Sequence, residues 1–270
     1  MGIVISTGGT YVAGNSYLGF DSLFLRSDAI VAASAEDAGF PVENATNFLT
    51  YFGGWRTSVV GENTINVTFL TAEAASAYAL FKHNLGDIGG TVKLQHSDDG
   101  VIFTDIAGSE NTPANNKAIF FIFDVESHPT WRLVFTGINI TQTLIVGQAF
   151  IGPTTRVFGG PETGWTPPNL AFNDKFVNSR ADGGDFLGRS LIRKGSKTGF
   201  NVSAVPSSWV RDNWEPFLTV AQLQPFYYAW NNIDFPFEVA YCFTEDNVKK
   251  PVYQSAAHLT ISLDFIALIE

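Results

Sequence analysis

The sequence predicts a mainly β chain: a jelly-roll β-sandwich, then an α+β unit that is itself mostly strand. Three observations predict it. Between residues 63 and 152, short segments alternate apolar and polar side chains with the period of two that a half-buried strand needs. Turn-forming residues separate them at roughly the 8–12-residue spacing of a sandwich or jelly roll. Beyond residue 170, one stretch with helical periodicity lies among further strand-like segments.

Taken in order, residues 1–28 read as an N-terminal arm or edge strand: a short strand at Ile3 to Ser6, a glycine-rich turn, then SYLGFDSLFLRS. Residues 29–60 are irregular. NTINVTFL sets Ile65, Val67 and Phe69 against polar neighbours, a half-buried strand. TAEAASAYALFKHNL is open between helix, which its alanines favour, and strand. TVKLQHS alternates Val92 and Leu94 with Lys93 and Gln95; Asp98-Asp99-Gly100 supplies turn chemistry, and VIFTDI returns as the partner strand. AIFFIFDV, TWRLVFTGI and TLIVGQAFIG complete the unit, giving a sandwich over 29–152.

Residues 153–170 are rich in Gly, Pro and Thr and read as a linker. The second unit, 171–270, carries candidate strands at FNDKFVNSRA, RSLIRKGSKTGFNVSAV, PFYYAW, PFEVAYCF and AAHLTISLDFIAL. One helix is expected near 207–223, started by a Ser207 or Ser208 cap, with Trp209, Val210, Trp214, Phe217, Leu218 and Ala221 on one face. Pro216 predicts a kink, or a second helix starting near it. Residues 1–152 are expected to fold alone.

The 270 residues carry a net charge of −10, which disfavours nucleic-acid binding. Residues 1–152 hold 6 basic and 14 acidic side chains, so the acidity is concentrated in the first unit. A single cysteine, Cys242, precludes an intrachain disulfide and a cysteine-rich metal site, and its apolar VAYCF setting reads as inert core. The opening MGIVISTGGTYVAG lacks the basic and apolar regions of a signal peptide. No window approaches the roughly 18 apolar residues of a membrane span, so no membrane insertion is expected.

Few polar clusters have catalytic or ligand-binding spacing. His83 and His96 are too far apart in sequence for a zinc pair and read as a strand end and the polar face of a hairpin strand. No nucleophile elbow, Cys–His pair or phosphate loop is present, and no enzyme is expected. No cofactor is expected. A weak calcium candidate is the irregular loop with Glu36, Asp37, Glu43, Asn44 and Asn47; Asp98-Asp99 reads instead as a turn. Tyr51, Phe52, Trp55 and Arg56 form a candidate glycan-contact loop, with core plugging as the alternative for the aromatics. Arg189, Arg193, Lys194 and Lys197 form the one basic cluster, either an oligomer interface or a solvated strand face.

The order of signals over 28–138 resembles the discoidin-like, galactose-binding-type jelly roll. An Ala/Ser-rich opening leads to Pro41 with Asn44-Ala45, then Trp55-Arg56-Thr57; His83-Asn84-Leu85, the Ser97 to Gly100 hairpin and Trp131-Arg132 follow. The His-Asn-Leu variant is similar to domains of bacteriophage tail proteins. The second half, with its basic loop, Trp214 to Phe217 helix and final strand, resembles the ring-forming β domains of minor and distal tail proteins. That resemblance implies a structural component of a phage tail tip: a homo-oligomeric ring, assembled in the host cytoplasm, residing in the virion, and contacting tail tube, hub and tip fibres. Its sandwich would face outward, toward host-surface glycans, with the loops around 34–56 and 86–90 at the contact end. Two other readings are a carbohydrate-binding adhesin module and, third, a polysaccharide-degrading enzyme.

Overall fold

The computed structural model describes residues 4–6, 16–139, 142–231, 234–245 and 248–268; the predicted glycine-rich turn over 7–15 lies outside them. Along the chain come β1 (Val4–Ser6), β2 (Tyr17–Gly19), β3 (Ile30–Ala33), α1 (Glu43–Thr46), β4 (Trp55–Thr57), β5 (Gly61–His83), α2 (Leu85–Ile88), β6 (Thr91–Ser97), β7 (Thr104–Asp105), β8 (Ile119–Ile138) and β9 (Leu144–Gly152). Then follow β10 (Thr154–Arg156), β11 (Lys175–Arg180), β12 (Phe186–Arg193), β13 (Ser196–Pro206), α3 (Ser207–Trp209), a π-helical turn at Val210–Trp214, α4 (Glu215–Ala221), β14 (Phe226–Ala229), β15 (Val239–Thr244), β16 (Val252–Tyr253) and β17 (His258–Leu268).

The predicted sandwich is present, and two long strands build both of its layers. The first part of β5 (Asn63 to Thr68) pairs with the last part of β8, while its second part (Ala77 to Leu80) pairs with the start of β8 and with β9. The register shifts between Thr68 and Glu73, where both strands turn from one layer into the other. β3, β6 and β7 extend the first layer; β9, β4 and, in parallel, β1 extend the second. Between the layers, Ile65, Val67, Tyr78, Leu80, Phe121, Trp131 and Phe135 are buried in one cluster, inward side chains at every second position.

TAEAASAYALF, open between helix and strand in the sequence, is strand. It lies between two cores. Tyr78 and Leu80 point into the sandwich, while Ala77, Ala79 and Phe81 point to its outer face. The alanines are where a second sheet closes in, so their small size serves packing and not helix propensity. VIFTDI forms less strand than expected: only Thr104–Asp105 pairs with β6, and Val101 and Ile102 are exposed. The Asp99 carboxylate accepts the Val101 and Ile102 N–H groups, and Gly100 sits at φ +72°, so the turn is longer than a two-residue hairpin.

The second sheet runs β10-β2-β14-β15-β17-β13, with β16 beside β17. β2 and β10 belong to it, so the N-terminal segment crosses between units and residues 154–157 are sheet and core, not linker. The sheet has two buried faces. Tyr17, Tyr227, Ala229, Val239 and Tyr241 pack on Phe81, Phe120, Ile122 and Phe150 of the sandwich. Leu18, Phe226, Tyr228, Ala240 and Cys242 face the other way, onto the helix. The molecule is therefore a stack of two sandwich layers, a third sheet and a helix. The expectation that 1–152 folds alone conflicts with the core its outer face shares with the third sheet.

The helical face is as expected: Val210, Trp214, Phe217, Leu218 and Ala221 are buried. No serine caps it. Pro206 holds the cap position, and the Ser207 N–H donates to the Ala257 carbonyl. Pro216 offers no N–H, and the helix absorbs this by widening into the π turn before α4 restarts at Glu215.

Candidate functional site

The glycan-contact loop separates into buried and exposed parts. Trp55 is 0% exposed; its indole N–H donates to the Ala35 carbonyl at 2.9 Å and its ring meets Phe135. It plugs the sandwich and cannot stack on a sugar. Gly54 (φ +75°) makes this possible, because a Cβ there would collide with the Val146 carbonyl. Arg56 is half-buried, its guanidinium 3.8 Å from the Phe40 ring centroid. Tyr51 is 91% exposed, and its ring meets that of half-exposed Phe52 edge-on. The same loop reaches the third sheet: Tyr241 Oη donates to the Phe48 carbonyl, and Phe48, Tyr51, Leu223, Phe243 and Leu268 line a cleft of about 420 Å³.

The His-Asn-Leu segment is structural throughout. His83 is buried at the end of β5; Nδ1 accepts the Leu85 N–H, so Nε2 carries the proton and donates to the Lys117 carbonyl at 2.8 Å. Asn84 spans the start of β9, donating to the Thr143 carbonyl and accepting the Ile145 N–H, both at 2.8 Å. Leu85 is core. Burial holds the His83 imidazole down to about 4, against an ordinary value near 6.5. As pH falls through that window, the unfolded chain takes up the proton first. Stability is then expected to drop by about 3 kcal/mol between pH 6.5 and pH 4, without further loss from this group below. Urea unfolding of wild type and His83→Gln across that range checks it: the variant should lose this pH dependence.

Two of the calcium candidates are engaged in hydrogen bonds of their own loop. Glu36 accepts the Val42 N–H, and Asp37 accepts both the N–H and the hydroxyl of Ser58, so these carboxylates tie the loop to itself. Among the described residues, the group with metal-ligand proximity is His96, Glu126 and His128. His128, two residues before the Thr130-Trp131-Arg132 motif, was not singled out by any sequence spacing; only strand register places it beside His96.

The basic cluster lies on an arm. β11 and β12 pair only with each other, and all their residues are exposed except half-buried Gly188. Phe176, Val177, Phe186, Leu187, Leu191 and Ile192 are exposed there beside Arg189 and Arg193. Arg189 donates to Asn178 and lies over Phe176. Lys194 sits at the base. Lys197 is on β13 in the third sheet and pairs with Glu245, so the structure divides the four residues.

No protein-family model matches the chain, and no curated protein matches it. Among solved structures it is similar to the Ruminococcus gnavus GH29 fucosidase in complex with fucose: 10% identity, TM-score 0.41, covering 50% of this chain and 27% of that one. It thus spans about a quarter of the fucosidase. It is also similar to the family 32 carbohydrate-binding module of Clostridium perfringens NanJ in complex with galactose: 16% identity, TM-score 0.39, covering 51% of this chain and 99% of that one. A chitosan-binding module of a Paenibacillus sp. IK-5 chitosanase/glucanase follows at 14% identity and TM-score 0.39, over 49% and 98%. At these scores the likenesses carry no argument, and the fold rests on the strand pairings above.

Proposed function

We propose that the chain is a structural subunit of a bacteriophage tail tip, closing into a homo-oligomeric ring in which the β11–β12 arm of one copy lies on the next. The arm is the observation that carries this reading. A two-stranded ribbon is marginally stable by itself in water. This one leaves six large apolar side chains and both strand edges exposed, which is the state of an element awaiting a partner. A second copy fits as the occupant by charge. The arm carries Lys175, Arg180, Arg189 and Arg193 against Asp182 and Asp185, a net charge of +2, whereas the sandwich segment holds most of the chain's acidic excess. A head-to-tail contact of this kind closes into a ring when its rotation permits. The sandwich, packed on the third sheet through a shared core, would face outward.

Replacing residues 176–192 with a short Gly-Ser linker tests the arm. Sedimentation velocity is expected to show an assembly for the full chain and a monomer for the variant, with the same far-ultraviolet circular dichroism apart from the lost ribbon. A variant of the parent's size contradicts the reading.

A second reading, glycan binding, is favoured by one feature. Tyr51 presents an exposed ring at the cleft, with the half-exposed Phe52 ring edge-on beside it, a surface suited to stacking on a sugar. It stands on these two residues, without Trp55.

A further inference from the structure

We propose that His96, Glu126 and His128 form a binding site for a divalent transition-metal ion of the zinc class. The three come from two neighbouring strands of the first sandwich layer. His96 is on β6, opposite Trp131 of β8, while Glu126 and His128 are two apart on β8 and so share a face. His128 Nε2 lies 3.2 Å and His96 Nε2 3.7 Å from Glu126 Oε2, and the donor atoms all fall within 4.8 Å of one another. Zinc bonds of about 2.0–2.2 Å to nitrogen and carboxylate oxygen span donors at such separations with small side-chain rotations.

Three further features favour a metal over a chance cluster. Asp98 Oδ1 lies 2.6 Å from His128 Nδ1 and Glu126 Oε2 lies 3.2 Å from Nε2; with the proton on Nδ1, held by Asp98, the Nε2 lone pair faces the carboxylate side, where an ion would take both. The two imidazole rings lie face to face, centroids 3.6 Å apart, an arrangement that disfavours their joint protonation. Finally, His96 Nδ1 is buried with no hydrogen-bond partner among the described residues. No bond at Nδ1 therefore opposes a rotation of the ring that carries Nε2 onto an ion.

Two imidazoles and one carboxylate suit zinc, cobalt or nickel better than calcium or magnesium, which take oxygen donors. On loading, the stacked rings would open about their Cβ–Cγ bonds until both lone pairs meet the ion. Three protein ligands leave a fourth position for water or for a donor from another chain. The ion would join β6 to β8 beside the exposed Asp98 turn, at the corner where β8 changes layers.

The test uses full-length protein dialysed against chelator, then titrated with zinc chloride by calorimetry and with cobalt by visible absorption. One equivalent per chain is expected, with a rise in melting temperature absent for magnesium. His96→Gln and His128→Gln are each expected to weaken binding at least about tenfold, as is Asp98→Asn through loss of the orienting bond. Asp98 is an exposed turn residue, so its variant keeps the test informative if a histidine variant misfolds. Long-range nitrogen–proton spectra should show the His96 and His128 ring signals moving together on zinc addition. The proposal is overturned by absence of stoichiometric binding, by unmoved ring signals, or by affinity unchanged in the double histidine variant.

Discussion

A chain ended at residue 152 is expected not to reach a soluble folded state. Its sandwich would retain its own core, but the outer face of the second layer would lose its cover. Phe81, Phe120, Ile122 and Phe150, with Ala77 and Ala79, are buried against Tyr17, Tyr227, Val239 and Tyr241. An aromatic side chain buries about 150–250 Å². At about 25 cal/mol per Å², uncovering the three phenylalanines alone costs on the order of 10 kcal/mol. That is comparable to the whole stability of a typical domain, about 5–15 kcal/mol. β2 would also lose both neighbours, β10 and β14. Circular dichroism and size-exclusion chromatography of the fragment check this. A folded, monodisperse 1–152 would show that the third core is a dispensable contact.

Trp55→Ala is expected to destabilise the protein by about 3–5 kcal/mol, the usual cost of deleting a fully buried large aromatic. The indole is wholly enclosed and its N–H satisfies the Ala35 carbonyl. Tyr51→Ala, four residues earlier on an exposed loop, is expected to change stability by no more than about 0.5 kcal/mol. Urea denaturation of the two variants separates them. A Trp55→Ala protein as stable as its parent would contradict the plug role. If the parent binds a glycan and Tyr51→Ala loses that binding at unchanged stability, the second functional reading gains over the first.

The sandwich was legible because inward residues in the first part of β5, in β6 and in the last part of β8 alternate, and the helix because Trp214, Phe217, Leu218 and Ala221 keep its period. TAEAASAYALF was not legible, since a strand buried on both faces has no alternation to read, and alanine serves close sheet approach as well as it serves a helix. Residues 154–157 were missed because Thr154, Thr155 and Arg156 form only a three-residue strand within a Gly/Pro/Thr-rich stretch. The four basic residues are close in sequence, but only Arg189 and Arg193 lie on the arm, and its exposure depends on what fails to pack against it, which no local pattern records. The His96–His128 contact has the same origin: thirty-two residues apart, the rings meet only through the register of β6 on β8.

Native mass by light scattering over a concentration series tests the self-assembly reading most directly. The chain is 29.4 kDa. A single closed multiple of that mass, threefold or sixfold and held across dilution, is the expected result. A monomer at every concentration would contradict assembly through the arm.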